Sequence, residues 1–117
     1  MPHVILRGAV ALERVWRELP RGPWRWGRAV ARVEGCYLGG EHQALLVAGV
    51  VVELGRPLHP VVLITPRGSA TAVHLWPVVR VERTEAVLRF LVQVATELRA
   101  FGAEDVDTTN LASLLPP

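Results

Sequence analysis

From Arg28 to Val81 the chain runs as four apolar stretches, each closed by a turn signal, a pattern that an antiparallel sheet accepts and few other folds do. The first stretch, Arg28 to Leu38, alternates. Arg28, Arg32 and Glu34 fall on one face, and Ala29, Ala31 and Val33 on the other, as in a half-exposed strand. Gly39–Gly40 then offers the positive φ angles that a tight hairpin needs. The second stretch, His42 to Leu54, is almost wholly apolar between Ala44 and Val52, which predicts a central strand covered on both faces. Gly55-Arg56-Pro57 turns the chain again, and Leu58 to Thr65 and Ala70 to Val81 form a further hairpin around Pro66-Arg67-Gly68-Ser69. Pro60 and Pro77 remove backbone donors, so these strands are expected to be bent, interrupted or at a sheet edge.

Helical spacing brackets this run. Leu12, Val15, Trp16 and Leu19 repeat at i, i+3, i+4, i+7; Glu13 and Arg17 stand four apart in the favourable order, and Pro20 ends the segment. At the other end Thr84 is placed to cap a long helix, with Glu85 in its first turn near the positive end of the dipole. Val87, Leu91, Val94, Leu98 and Phe101 line one side of that helix and Gly102 supplies the stop. Glu104-Asp105-Val106-Asp107 reads as solvated loop and Thr108 to Leu115 as a last short helical turn. The expected fold is therefore α+β: an antiparallel sheet of four consecutive strands, with Val4 to Leu6 as a candidate fifth, N-terminal strand. An N-terminal helix and a long C-terminal helix pack on it. An alternative is a curled, partly barrel-like sheet plugged by the long helix. Residues 1–117 are expected to form a single α+β domain, with 104–117 a short C-terminal extension.

Composition narrows the function classes. Half of the chain is hydrophobic, which argues against a disordered linker, and no stretch reaches the roughly 18–20 apolar residues of a membrane span. Arg7, Glu13 and Arg14 interrupt any secretory h-region, so a cytoplasmic location is expected. All 13 basic side chains are arginine, and Asn, Ile, Tyr, Phe and Met are scarce; these share A/T-rich codons with lysine, so a GC-rich genome explains the bias. Charge is unevenly spread: residues 1–34 carry seven arginines against three glutamates, and residues 83–117 three arginines against five acids.

The most unusual segment is Arg21-Gly-Pro-Trp-Arg-Trp-Gly-Arg28. Arg21, Trp24, Arg25, Trp26 and Arg28 have the chemistry to stack bases and hold phosphates, or to anchor a protein interface. The same pattern also arises where Trp24 and Trp26 close one end of the core while the arginines face solvent. His59 and His74 share a sheet face if the third hairpin centres on Arg67–Gly68, and would then begin a metal site, but no third ligand stands at a fixed spacing. Cys36, the one cysteine, reads as a small buried hydrophobe. No phosphate loop, nucleophile elbow or carboxylate pair appears, so nothing in the sequence supports an enzyme, and no cofactor is implied. The leading expectation is an interaction protein, acting as a homodimer or on a partner protein through its sheet face or an edge strand near the first hairpin. The alternative is single-stranded nucleic-acid binding through segment 21–28.

Overall fold

A computed structural model of the chain describes residues 1–116. It is α+β, with a curled antiparallel sheet and a long C-terminal helix. The strands are β1 (His3–Arg7), β2 (Trp24–Trp26), β3 (Ala29–Gly39), β4 (Ala44–Glu53), β5 (Arg56–Leu58), β6 (Val61–Arg67), β7 (Ala70–Leu75) and β8 (Val106–Thr109). The helices are α1 (Leu12–Glu18) and α2 (Glu85–Glu97), the latter continued by a 3-10 turn over Leu98–Phe101. The sheet order is β2-β3-β4-β6-β7-β1-β8, with β5 added beside β4.

Eight strands stand where four consecutive ones were expected. The four expected stretches correspond to β3, β4, β6 and β7, and the N-terminal strand is real. The others are short and owe their strand state to partners. β2 pairs with β3, β5 with the end of β4, and β8 with β1, nearly the whole chain away. Val106–Thr109 is thus an edge strand and not the solvated loop its acidic residues suggest. Thr109 Oγ1 donates to the His3 carbonyl, and Arg7 holds Asp105 and Asp107 at 2.7 and 3.0 Å. The proline interruptions fall as expected, Pro60 between β5 and β6 and Pro77 beyond the end of β7.

Two turns shift the register. Three successive residues, Gly40, Glu41 and His42, take positive φ, so the first hairpin loop is longer than the expected Gly-Gly pair and β4 begins at Ala44. The β6–β7 turn is Gly68–Ser69, because Arg67 pairs with Ala70; His74 therefore stands opposite Leu63. A β-bulge between Val33 and Gly35 switches the alternation of β3. Ala29, Ala31 and Val33 face the core before it, and Cys36 and Leu38 after it.

Both helices pack on that same face. In α2 and the 3-10 turn that continues it, Val87, Phe90, Leu91, Val94 and Leu98 are fully buried in one core with Val47, Val51, Val62 and Ile64. Thr84 caps it, its Oγ1 accepting from Val87 N–H at 3.2 Å while donating to a Glu53 carboxylate oxygen. Gly102, at φ 112°, ends the turn that follows. Gly49, in the middle of β4, makes room for the helix: a Cβ there would lie 2.6 Å from Phe90 Cε2 and 2.9 Å from Cε1. α1 buries Leu12, Val15 and, just beyond its end, Leu19. Trp16 stays 41% exposed and ties the helix to β3 by donating to the Cys36 carbonyl at 3.1 Å.

Candidate functional site

With both helices on one side, the other face of the sheet has no cover within the described chain. β4 shows the consequence most clearly. Leu45, Val47 and Val51 are fully buried under the helices, whereas Leu46, Ala48 and Val50 are only half-buried and Val52 is 37% exposed. The near-continuous apolar run does not mark a strand covered on both faces, as its sequence suggests. One face is covered and the other is apolar and open. Registers align Leu46 with Leu63, and Ala48 with Val61, so the open apolar surface crosses from β4 to β6 without a polar break. Tyr37, 62% exposed, lies on the same face, its ring against Gly35, where a Cβ would meet the phenol oxygen at 2.8 Å. Five strands spaced ~4.8 Å apart with about six residues each present a projected face of roughly 24 by 20 Å.

Towards β1 this face deepens into a cleft of about 520 Å³, floored by Ile5 and Ala72 and walled by His3, His74, Thr65 and Arg67. The histidines that meet here are not the pair expected from sequence. His59 sits in the break before β6, exposed, with Nδ1 3.3 Å from a Glu34 carboxylate oxygen. It is displaced about 13 Å along the strand direction from the residue opposite His74. His74 instead stands directly across from His3, because β1 lies beside β7. His3 Nδ1 is 3.0 Å from the Met1 carbonyl. Burial, and secondarily the charge of His3, hold the His74 imidazole below its ordinary pKa. Among the described residues no three His, Cys, Asp or Glu side chains gather as metal ligands. The only sequence signal for the His3–His74 pair was the shared strand character of the two segments.

The Arg–Trp segment resolves by strand alternation. Trp24 and Trp26 pair with Ala31 and Ala29 on the core face, half-buried, with the Trp24 and Phe90 ring centroids 6.4 Å apart. Arg25 pairs with Val30 and projects from the opposite, open face. Arg21 and Arg28 are exposed, and the Arg21 guanidinium donates to the Glu34 carbonyl at 3.4 Å. The aromatic rings and Arg25 thus leave the sheet on opposite faces, whereas Trp26 and Arg28 both line a cavity of about 220 Å³ beside Glu53 and Arg89. Cys36 faces the core; burial pushes its thiol pKa up, and the nearby Arg21 charge offsets this only in part. It is therefore a neutral thiol near pH 7 and a poor nucleophile.

A crevice of about 280 Å³ runs between β1, α2 and the C-terminal tail, lined by Leu6, Ala95, Leu115, Thr96 and Arg99. No helix in the described residues is long and apolar enough to cross a membrane. Comparison with family models, with curated proteins and with solved structures finds no match.

Proposed function

We propose that this protein is a small interaction module that works by burying the open face of its sheet against another polypeptide, a second copy of itself or a partner protein. One observation carries this reading: β4 is apolar on both sides, but the described residues cover only one. Exposed contiguous apolar patches of more than a few hundred Å² are uncommon on free monomers and mark contact surfaces. The projected face of about 480 Å², which includes polar residues such as His3, Thr65 and His74 as well as the apolar floor, is more than half the ~800 Å² per partner of a standard interface.

Leu63→Asp is the direct test. The side chain leaves the sheet away from the helices, so the unfolding midpoint is expected to move little, while association is lost. Sedimentation velocity and binding of an apolar-surface dye report the two forms of that outcome. A wild-type protein that stays monomeric at high concentration, and binds the dye no better than the variant, removes the reading.

Single-stranded nucleic-acid binding through Arg21, Trp24, Arg25, Trp26 and Arg28 has less support. In its favour, Arg21, Arg25 and Arg28 form no ion pair among the described residues. Against it, the tryptophans lie on the core side. It predicts salt-sensitive oligonucleotide binding with tryptophan quenching, and unchanged fluorescence at low salt would eliminate it.

A further inference from the structure

We propose that His3 and His74 together bind a divalent transition-metal ion, Zn²⁺ or Cu²⁺, where β1 and β7 meet on the open face. Strand pairing brings them together: they are partners in the β1–β7 register and both line the 520 Å³ cleft. The backbone shows which kind of pair they form. The His3 N–H donates to Asn110 Oδ1 and its carbonyl accepts from Thr109 Oγ1, both on the β8 side. One position along, the Leu75 N–H instead reaches the Pro2 carbonyl across the seam to β7. His3 and His74 are therefore a non-hydrogen-bonded pair, the closer of the two antiparallel kinds, with Cβ atoms about 4.5–5.5 Å apart. Two imidazole nitrogens at about 2.0–2.1 Å from one ion in tetrahedral geometry stand roughly 3–3.5 Å apart. The rings need only lean together to share an ion.

The surroundings leave the two rings available. His42 and His59 stand beside Glu13 and Glu34, whereas His3 and His74 meet no carboxylate among the described residues. His3 Nδ1 lies 3.0 Å from the Met1 carbonyl, which can only accept, so Nδ1 carries the proton of the neutral ring and Nε2 keeps its lone pair. A carbonyl behind the ring is a common orienting partner of metal-bound histidine. Charged imidazoles directly opposite each other repel, and a shared ion holds both rings neutral instead. The one arginine of the cleft, Arg67, belongs to its far end: it stands four residues, about 13 Å, along β6 from Leu63, which faces His74. Two protein ligands leave the other coordination positions to water, so the ion is exchangeable, unlike the four-ligand set of a structural zinc site. Imidazole selects Cu²⁺ above Zn²⁺ and discriminates against the oxygen-seeking Mg²⁺ and Ca²⁺.

The full-length protein, stripped with a chelator, is titrated with Zn²⁺ and with Cu²⁺ by calorimetry, and the histidine ring protons are followed by NMR. Cu²⁺ is expected to bind more tightly than Zn²⁺, and Mg²⁺ in about tenfold excess to leave both unchanged. Sub-stoichiometric Cu²⁺ should broaden the ring signals of His3 and His74 before those of His42 and His59. This measurement needs only the wild-type protein, so it decides the matter even if a variant fails to fold. His3→Ala and His74→Ala should each weaken Zn²⁺ binding at least about tenfold, and the double variant little further, because the two rings act as one chelate. His59→Ala should leave binding unchanged, and circular dichroism checks each fold. Absence of Zn²⁺ binding, strictly additive losses, or broadening that begins at His42 or His59 overturns the inference. So does Cu²⁺ binding that survives His74→Ala, which would place the ion on the terminal amine and His3 alone.

Discussion

Gly49 offers the sharpest test of how the sheet and α2 fit together. Its φ is not positive, so the position needs glycine for space and not for backbone freedom. A Cβ built there falls within 2.6 Å of Phe90 Cε2 and 2.9 Å of Cε1, well inside van der Waals contact. The ring cannot simply withdraw: Phe90 is fully buried and leans on Trp24, with centroids 6.4 Å apart. Gly49→Ala therefore overpacks a closed core, which costs about 2–3 kcal/mol. At roughly 4 °C per kcal/mol for a domain of this size, the melting temperature should fall by about 8–12 °C. Phe90→Leu removes the very ring atoms that a Cβ at position 49 would strike, at a cost of about 1–3 kcal/mol as a single change. The double variant Gly49→Ala/Phe90→Leu should be more stable than the sum of the two losses predicts, by about 1 kcal/mol or more. Urea unfolding of the four proteins measures that coupling. A Gly49→Ala protein within about 0.5 kcal/mol of wild type, or strict additivity, would refute the argument that α2 is seated through this gap.

Other consequences follow from the same geometry. Thr84→Ala removes both the bond to Val87 N–H and the donor to Glu53, so chemical denaturation should show a loss of about 1–2 kcal/mol that Thr84→Ser largely restores. The folded-state pKa of His74 lies below its ordinary value of 6.5; above that pH both states carry neutral imidazole and nothing changes. As pH falls through 6.5 the unfolded chain takes up the proton first, so stability declines until the folded pKa is passed. His74→Gln should flatten this part of the stability–pH curve, and an unaltered slope would show that the shift is absent. Truncation after Glu104 removes β8 and the buried Leu111 and leaves β1 as an edge. A loss of at least about 3 kcal/mol is expected in urea, whereas a tail that merely extends the fold would be shed without effect.

Much of the architecture was legible residue by residue. Val87, Leu91, Val94, Leu98 and Phe101 form one stripe at helical spacing, and all five are buried; Thr84 caps and Gly102 stops the helix as their chemistry dictates. The alternation of Arg28 to Glu34 likewise survives intact as far as the bulge. These signals are local, because a helix or strand repeats within a few residues and its ends are set by adjacent side chains. What failed to show was non-local or depended on one residue of register. The pairing of β1 with β7 and β8 joins segments separated by most of the chain, and no pattern within either segment names its partner. A shift of the last hairpin to Gly68–Ser69 moved the residue opposite His74 to Leu63, and so dissolved the expected relation to His59.

Spacing and turn chemistry alone dictate the antiparallel strand run, the two helices and the alternation that makes each strand two-sided. Which side is used is set by packing between distant segments. Both helices settled on the face of Val47 and Val51, where Gly49 leaves room for Phe90 of α2. That choice left Leu46, Val50 and Leu63 facing outward, and it turned Trp24 and Trp26 towards the core. Burial is a property of the whole packing arrangement, so an apolar strand announces that two faces want cover without saying which one the chain itself will provide.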